Sequence, residues 1–228
     1  MNYFFSKDIV DDKIILSNKE MIHCVKVLRH KVEDRIKVVD GKGNLYEVEI
    51  SSITSDKCET KIINTKTIKN KVKVHLIICP TKNHKRIEWM LEKIVEIGVD
   101  RVSFIISKNT IRKNVNMERL NKIALSAMKQ TQNAFLPEID DCIKFKDIFS
   151  LTSSKEKYIA HLNKKNNIHL NLSINNTNSR CIMIGPEGDF TDEEVEYSLK
   201  KGFKEVSLGI SRLRTETSGI VSTTILNL

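Results

Sequence analysis

Two loops near the C-terminal end of the chain hold the residue types that could do chemistry. The first reads Ile184-Gly185-Pro186-Glu187-Gly188-Asp189-Phe190-Thr191; the second reads Leu208-Gly209-Ile210-Ser211-Arg212-Leu213-Arg214-Thr215-Glu216-Thr217. Each follows a strand-like apolar run (residues 181–184 and 206–208) and precedes a helix-like segment. Each therefore falls at the carboxyl end of a strand, where open α/β sheets bind ligands. Five of the eight glycines (Gly185, Gly188, Gly202, Gly209, Gly219) lie in this part of the chain. Glycine lets backbone come close to a ligand, so their density points to a shaped pocket. It is not a phosphate cradle. Neither G-x-x-x-x-G-K-[ST] nor a G-x-G-x-x-G at a strand–helix junction occurs, and the Glu187 carboxylate would repel phosphate. A ligand with a positive or neutral reacting centre suits the loop better.

The elements that must position these loops follow from periodicity. From residue 72 onward strands alternate with helices: strand 72–79, helix 84–97 with Ile87, Met90, Leu91, Ile94 and Ile97 on one face, then strand 102–106 and helix 117–132. Short buried strands follow at 158–161 and 181–184. Thr191 with Glu194 forms a capping box that opens a helix ending at Gly202. A last helix at about 216–226 is expected to bury Ile220, Val221 and Ile225. This alternation predicts a mostly parallel sheet covered on both faces. The asparagine-rich stretch 163–179 reads as a surface connection.

Residues 1–66 read differently. Segments 25–28, 35–39 and 45–50 alternate at period two, and Asp40-Gly41-Lys42-Gly43-Asn44 between the last two is a hairpin turn. A further strand pair over residues 50–63 would complete a small β-barrel. Residues 64–73 are polar and basic (Lys66, Lys69, Lys71, Lys73), which suits a linker or a strand edge. Two domains are therefore expected, 1–66 and 72–228.

Composition narrows the setting. At 228 residues, 40% hydrophobic and 29% charged, the chain can bury a full core. No apolar run is long enough to span a bilayer and the N-terminus lacks a signal pattern, so the cytoplasm is expected and a membrane partner is not. Cys24, Cys58, Cys79, Cys142 and Cys181 are odd in number and form no C-x-x-C pair, and the six histidines show no ligand spacing with them. No metal is implied. The net charge of +9 favours a polyanionic partner, nucleic acid first.

Taken together, the two loops resemble the signature motifs of the RsmE family, the bacterial small-subunit ribosomal RNA uridine N3-methyltransferases of the SPOUT superfamily. The resemblance runs over nearly the whole chain. His23-Cys24-Val25-Lys26-Val27-Leu28-Arg29 and Asp40-Gly41-Lys42-Gly43 are similar to the family's PUA-like N-terminal barrel. Residues 85–93 through Gly98, and Met128-Lys129-Gln130 with Pro137, are similar to its catalytic domain. The fold class so implied is α/β: a small N-terminal PUA-like β-barrel and a C-terminal SPOUT domain with a deep trefoil knot, working as a homodimer.

By the same resemblance S-adenosylmethionine would bind among the knot loops, against His161, Ile184, Gly185, Pro186, Glu187, Gly188, Leu208, Gly209, Leu213 and Thr217. Methyl transfer to uridine N3 needs its proton removed, and the resulting anion spreads over O2 and O4, where a fixed cation would lower the barrier. Arg214 is assigned to that anion. Glu216 would orient Arg214 or relay the proton, and Thr217 would hold the loop and cap the last helix. Glu187 could contact the cofactor or fix its own loop. Trp89 is expected in core or dimer packing. Contacts to 16S ribosomal RNA are expected from Lys26 and Arg29 on the barrel and from Lys82, Lys85, Arg86, Lys108, Arg112 and Lys113 on the second domain. Four places depart from the family pattern: Asn2-Tyr3, Ser107-Lys108-Asn109-Thr110, Asn133 and Ser211-Arg212. A scaffold that binds RNA without turnover, and a SPOUT enzyme acting on transfer RNA, are the competing readings.

Overall fold

The computed structural model describes residues 3–69, 72–162 and 168–228. Asn2, Lys71 and residues 163–167 of the asparagine-rich connection lie outside the described residues. The chain divides into two compact units, residues 1–70 with 128–136, and residues 71–127 with 137–228.

The first unit is a six-stranded sheet in the order β1-β4-β5-β6-β3-β2, formed by β1 (Tyr3–Phe5), β2 (Ile9–Val10), β3 (Lys13–Ser17), β4 (Arg35–Val39), β5 (Asn44–Ile53) and β6 (Lys57–Thr67). Only β1–β4 is parallel. Alternate residues of the strands, Ile14 and Leu16, Ile36 and Val38, Val48 and Ile50, point into one core with Phe4, Met21, Cys24 and Cys58. The Asp40 carboxylate accepts from the Lys42 and Asn44 N–H groups and so shapes the expected hairpin. At Gly43 (φ +100°) a Cβ would meet the Phe135 ring at 2.6 Å and the Ile68 carbonyl at 2.8 Å. The 134–136 segment, expected with the second domain, is thereby tied to the first unit.

Two strand expectations are corrected here. Residues 25–28 are helical: α1 (Asn18–Met21) continues into a π-helical turn (Ile22–Val27), with Leu28 N–H bonding the His23 carbonyl. Met21 and Cys24 are the buried positions there, a spacing of three and not two. Residues 50–63 are not a separate pair either. β5 runs on to Ile53 and turns at Thr54, whose hydroxyl accepts from Lys57 N–H, directly into β6.

The second unit is an all-parallel sheet in the order β12-β10-β11-β7-β8-β9. Its elements run β7 (Lys73–Ile78), α2 (His84–Ile97), β8 (Arg101–Ile106), α3 (Met117–Gln130), β9 (Glu138–Lys144), α4 (Ile148–Leu151), β10 (Glu156–Ala160), α5 (Leu170–Ser173), β11 (Ser179–Ile184), α6 (Asp192–Lys200), β12 (Lys204–Val206) and α7 (Thr215–Leu226). Buried Ile77, Ile105, Ile159, Cys181 and Met183 carry the core on one face, with Phe145, Phe190 and Phe203 packed on them. The Thr191–Glu194 capping box opens α6 with both reciprocal hydrogen bonds made.

From the edge strand β12 the chain returns to the middle of the sheet, where α7 packs on β7, β11 and α2. This helix does not bury the face expected of it. Thr215, Glu216, Gly219, Ser222, Thr223 and Leu226 are buried, while Ile220, Val221 and Ile225 are half-buried. Small residues face inward because the approach is tight: a Cβ on Gly219 would lie 2.7 Å from Met90 Sδ. Both ends of α7 are pinned. Thr215 Oγ1 donates to the Gly185 carbonyl at 3.2 Å, and Arg180 Nη1 donates to the Leu226 carbonyl at 2.7 Å. Trp89, on α2, is 50% exposed and not in the core. Among the described residues no helix is long and apolar enough to cross a membrane.

Candidate active site

Strands β12, β10 and β11 are neighbours, so their carboxyl ends bring three loops side by side. Between them opens a cleft of about 890 Å³. Ala160 and His161 follow β10; Ile184, Gly185, Pro186, Glu187 and Asp189 follow β11; residues 206–216 follow β12, and Arg86 reaches in from the first turn of α2. This is the ligand position of an open α/β sheet.

Most residues expected at the ligand line this cleft: His161, Ile184, Gly185, Pro186, Glu187, Leu208, Gly209 and Leu213, with Arg214 and Glu216. Gly188 and Thr217 stand outside the lining. Gly188 packs on Asn109, whose Nδ2 donates to the Gly188 and Asp189 carbonyls at 3.1 and 3.0 Å. Thr217 does not cap the last helix; Arg214 occupies the N-cap position, and Thr215 makes the bond that holds the turn.

The loops fasten one another. Glu187 does not fix its own loop: its Oε1 accepts from the Lys82 N–H at 2.9 Å, which ties the β11 loop to the β7 loop. Arg112 Nε donates to the Lys82 carbonyl at 3.2 Å, and Arg212 Nη2 donates to the Glu187 carbonyl at 3.3 Å. Asp189, at φ +63°, accepts from Leu162 N–H at 2.7 Å and from Phe190 N–H at 2.8 Å. That role was missed in the sequence, where Asp189 read only as part of the Gly-rich turn.

Some side chains of the cleft have a carboxylate or guanidinium partner. His161 Nε2 lies 2.8 Å from Glu205 Oε1, and Arg86 Nε lies 3.5 Å from Glu216 Oε1. Glu216 is thus partnered by Arg86, not by Arg214 as expected. Arg214 is exposed at the cleft's rim. The remaining basic residues expected at RNA are exposed at Lys26 and Arg29 in the first unit and at Lys82, Lys85, Lys108 and Lys113 in the second, with Arg112 half-buried. Carboxylates Glu187, Asp189 and Glu216 beside backbone-rich, partly apolar walls suit a cationic ligand carrying hydroxyl and heteroaromatic groups.

Comparison with known proteins agrees with this geometry. Residues 68–227 match the family model for an RNA methyltransferase domain, and residues 16–63 match that for an RNA methyltransferase PUA domain. The ribosomal RNA small subunit methyltransferase E of Mesomycoplasma hyopneumoniae is 32% identical over 226 residues, covering 96% of either chain. The crystal structure of a probable rRNA-methyltransferase from Porphyromonas gingivalis has a TM-score of 0.89 at 36% identity, over 98% of this chain and 95% of that one. The ribosomal RNA small subunit methyltransferase E of Neisseria gonorrhoeae, solved bound to S-adenosyl methionine, shares the fold with a TM-score of 0.85 at 24% identity, over 98% and 95% of the two chains.

Proposed function

Because the chain belongs to the ribosomal RNA small subunit methyltransferase E family, we propose that it methylates N3 of a uridine in 16S ribosomal RNA with S-adenosylmethionine as donor. The fold is the family's, a PUA-like β domain followed by a parallel-sheet SPOUT methyltransferase domain. The observation that carries the reading is the cleft at the ends of β10, β11 and β12: acidic and backbone-lined within, with Arg214 at its rim.

The residues present fit the donor. Ile184, Leu208 and Leu213 offer apolar walls for the adenine, and Glu187 and Asp189 suit the ribose hydroxyls and the amino group. When bound, S-adenosylmethionine supplies an electrophilic methyl carbon whose bond to sulfur breaks, with its electron pair, as the bond to N3 forms. Arg214 meets the uracil anion at O2 or O4, where a guanidinium stabilises charge that appears only as the N3 proton leaves. Glu216, in the first turn of α7 and buried in the cleft wall, accepts that proton in this reading. The laced loops hold both reactants in line, which supplies much of the rate enhancement of a displacement.

Dimerisation also belongs to this reading. Half-buried Ile220, Val221 and Ile225 on α7 and exposed Trp89 on α2 are apolar surface that a second copy would cover. The trefoil knot of SPOUT domains would account for α7 returning from the sheet edge to its middle. The cysteines, all free thiols, suit the cytoplasm.

Mass-spectrometric mapping of 16S rRNA from cells lacking the protein, with calorimetric titration of S-adenosylmethionine into the purified chain, tests the proposal. Loss of one 3-methyluridine is the expected outcome. Donor binding with a missing tRNA methyl group would favour the tRNA reading, and absence of donor binding would favour a non-catalytic scaffold. Arg214→Ala is expected to abolish methylation and leave donor affinity within about threefold, a loss on the scale of one missing charge-stabilising donor, ~10²–10³ in rate. Turnover within a few-fold of wild type overturns the assignment of Arg214.

A further inference from the structure

Three guanidinium groups line the cleft, and they are not equivalent. Arg212 donates to the Glu187 carbonyl at 3.3 Å. Arg214 is exposed at the start of α7. Arg86 is half-buried in the first turn of α2, with its Nε 3.5 Å from the carboxylate of Glu216, whose side chain is only 7% exposed. Helix packing builds this pair. One turn further along α2 stands Met90, and one turn further along α7 stands Gly219, whose Cβ, were there one, would lie 2.7 Å from Met90 Sδ. Side chains four and three residues apart share a helix face. The contact of Met90 with Gly219 therefore sets Arg86 opposite Glu216. Thr215, bonded to the Gly185 carbonyl, fixes the same turn of α7 against the β11 loop.

We propose that Arg86 is a positioning residue for the methyl transfer, its guanidinium holding the Glu216 carboxylate in place in the cleft and leaving Arg214 to meet the base. The proposal rests on the cleft being the methyl-transfer site. It replaces the reading of Arg86 as a phosphate contact: a guanidinium committed to a buried carboxylate is already neutralised, and separating the two would strand a charge out of water. The neighbouring exposed Lys82 and Lys85 carry no such partner obligation at their amino groups and remain the candidates for phosphate.

A double-mutant cycle decides the matter. Arg86→Gln, Glu216→Gln and the double variant are compared with wild type for kcat and KM on small subunits, for melting temperature, and for the salt dependence of RNA affinity without donor. A residue acting through Glu216 gives single variants slowed at least tenfold in kcat with KM little changed, and a double variant no slower than Glu216→Gln within about twofold. The slope of log affinity against log salt stays at the wild-type value, and Arg86→Lys, which keeps the charge and loses the planar fork, recovers part of kcat. The double variant should also melt at or above the Arg86→Gln variant, since it leaves no unpaired carboxylate; this readout holds even where a single variant is too unstable to assay. Losses that multiply independently, together with a salt slope reduced by about one in Arg86→Gln, would make Arg86 a phosphate contact and overturn the proposal. Failure of the wild-type protein to methylate any RNA would instead overturn the reading of the cleft, a distinct result.

Discussion

Gly219→Ala puts the packing account to its sharpest test, because two effects of similar size oppose each other. In an exposed helix the change would stabilise by about 1 kcal/mol, the difference in helix propensity. Here the added Cβ would stand 2.7 Å from Met90 Sδ, 3.2 Å from Ile78 Cδ1 and 3.4 Å from Leu76 Cδ2. All three neighbours are fully buried, so the thioether cannot give way into solvent. Overpacking a tight core costs roughly 1–3 kcal/mol, which outweighs the propensity gain and leaves a net loss of about 1 kcal/mol. For a chain of this size that is a fall in melting temperature of roughly 2–4 °C. Gly219→Val adds two methyl groups at the same point and should cost about 3 kcal/mol or more. Activity should fall further than stability does, since easing α7 away from α2 lengthens the 3.5 Å contact of Arg86 with Glu216. Urea unfolding followed by circular dichroism, run beside kcat on the same samples, measures both. Stabilisation of Gly219→Ala by about 1 kcal/mol would refute the argument, because propensity would then be acting unopposed and the inner face of α7 could not be pressed on Met90.

Two more outcomes follow from other parts of the structure. His75 is buried, with Nε2 2.7 Å from Ser103 Oγ, and burial followed by the nearby Arg101 charge pushes its pKa down from 6.5 to about 4, against the opposing pull of Asp140. The fold thus holds a neutral imidazole, so stability is complete above pH 6.5 and is lost as the unfolded chain takes up its proton below that. The loss should reach about 2 kcal/mol by pH 5, and His75→Gln should flatten the unfolding free energy between pH 7 and 5; an unchanged slope in the variant would rule His75 out as its source. Gly43→Ala combines a positive φ with a Cβ 2.6 Å from Phe135 and 2.8 Å from the Ile68 carbonyl, a backbone atom that cannot yield cheaply. It should destabilise the first unit by about 2–3 kcal/mol, read as hydrogen-exchange protection lost in β4 and β5, and a melting curve like wild type would contradict it.

Much of this was legible in the sequence, and the failures have physical causes. Helix 84–97 and the helix expected at 117–132, observed as Met117–Gln130, stood out because apolar residues recur at helical spacing, and Gly98 ends the first. β9 was not foreseen. Glu138, Asp140 and Asp141 are poor strand formers, and the strand holds at the sheet edge because Arg101 on β8 pairs with Asp140 through two hydrogen bonds of 2.8 and 3.1 Å. Such a partner lies on another strand, beyond the reach of local pattern. The strand expected at residues 25–28 failed because a run of four residues cannot separate period two from the period-three burial of Met21 and Cys24. The inner face of α7 was invisible for a different reason: its contact is made by what Gly219 lacks, so hydropathy pointed to Ile220, Val221 and Ile225 instead. Within the site the loops and their residues were legible, but the pairing was not. Whether Glu216 meets Arg214 or Arg86 is decided by how close two helices pack.

The same distinction bears on the departures from the family pattern read in the sequence. Asn109 and Arg212 fall in two of those segments, and each donates to backbone of the β11 loop, Asn109 to Gly188 and Asp189, Arg212 to Glu187. Arg112 and Glu187 extend the lacing to Lys82 from opposite sides, through its carbonyl and its N–H. Loops after β7, β8, β11 and β12 are thereby joined by hydrogen bonds from side chain to backbone, which depend on loop shape more than on the identity of each partner. A charged residue spent on lacing is not free for phosphate, so under the proposed function the basic face for RNA is drawn from other side chains, such as those of Lys82, Lys85 and Lys113, while Lys108 Nζ lies 4.0 Å from Glu193. In the proposed function, donor binding and RNA binding then rest on different residues of the same loops. Under the proposed function, a loop laced through its backbone can hold a methyl donor while its exposed lysines face a phosphate backbone whose path varies.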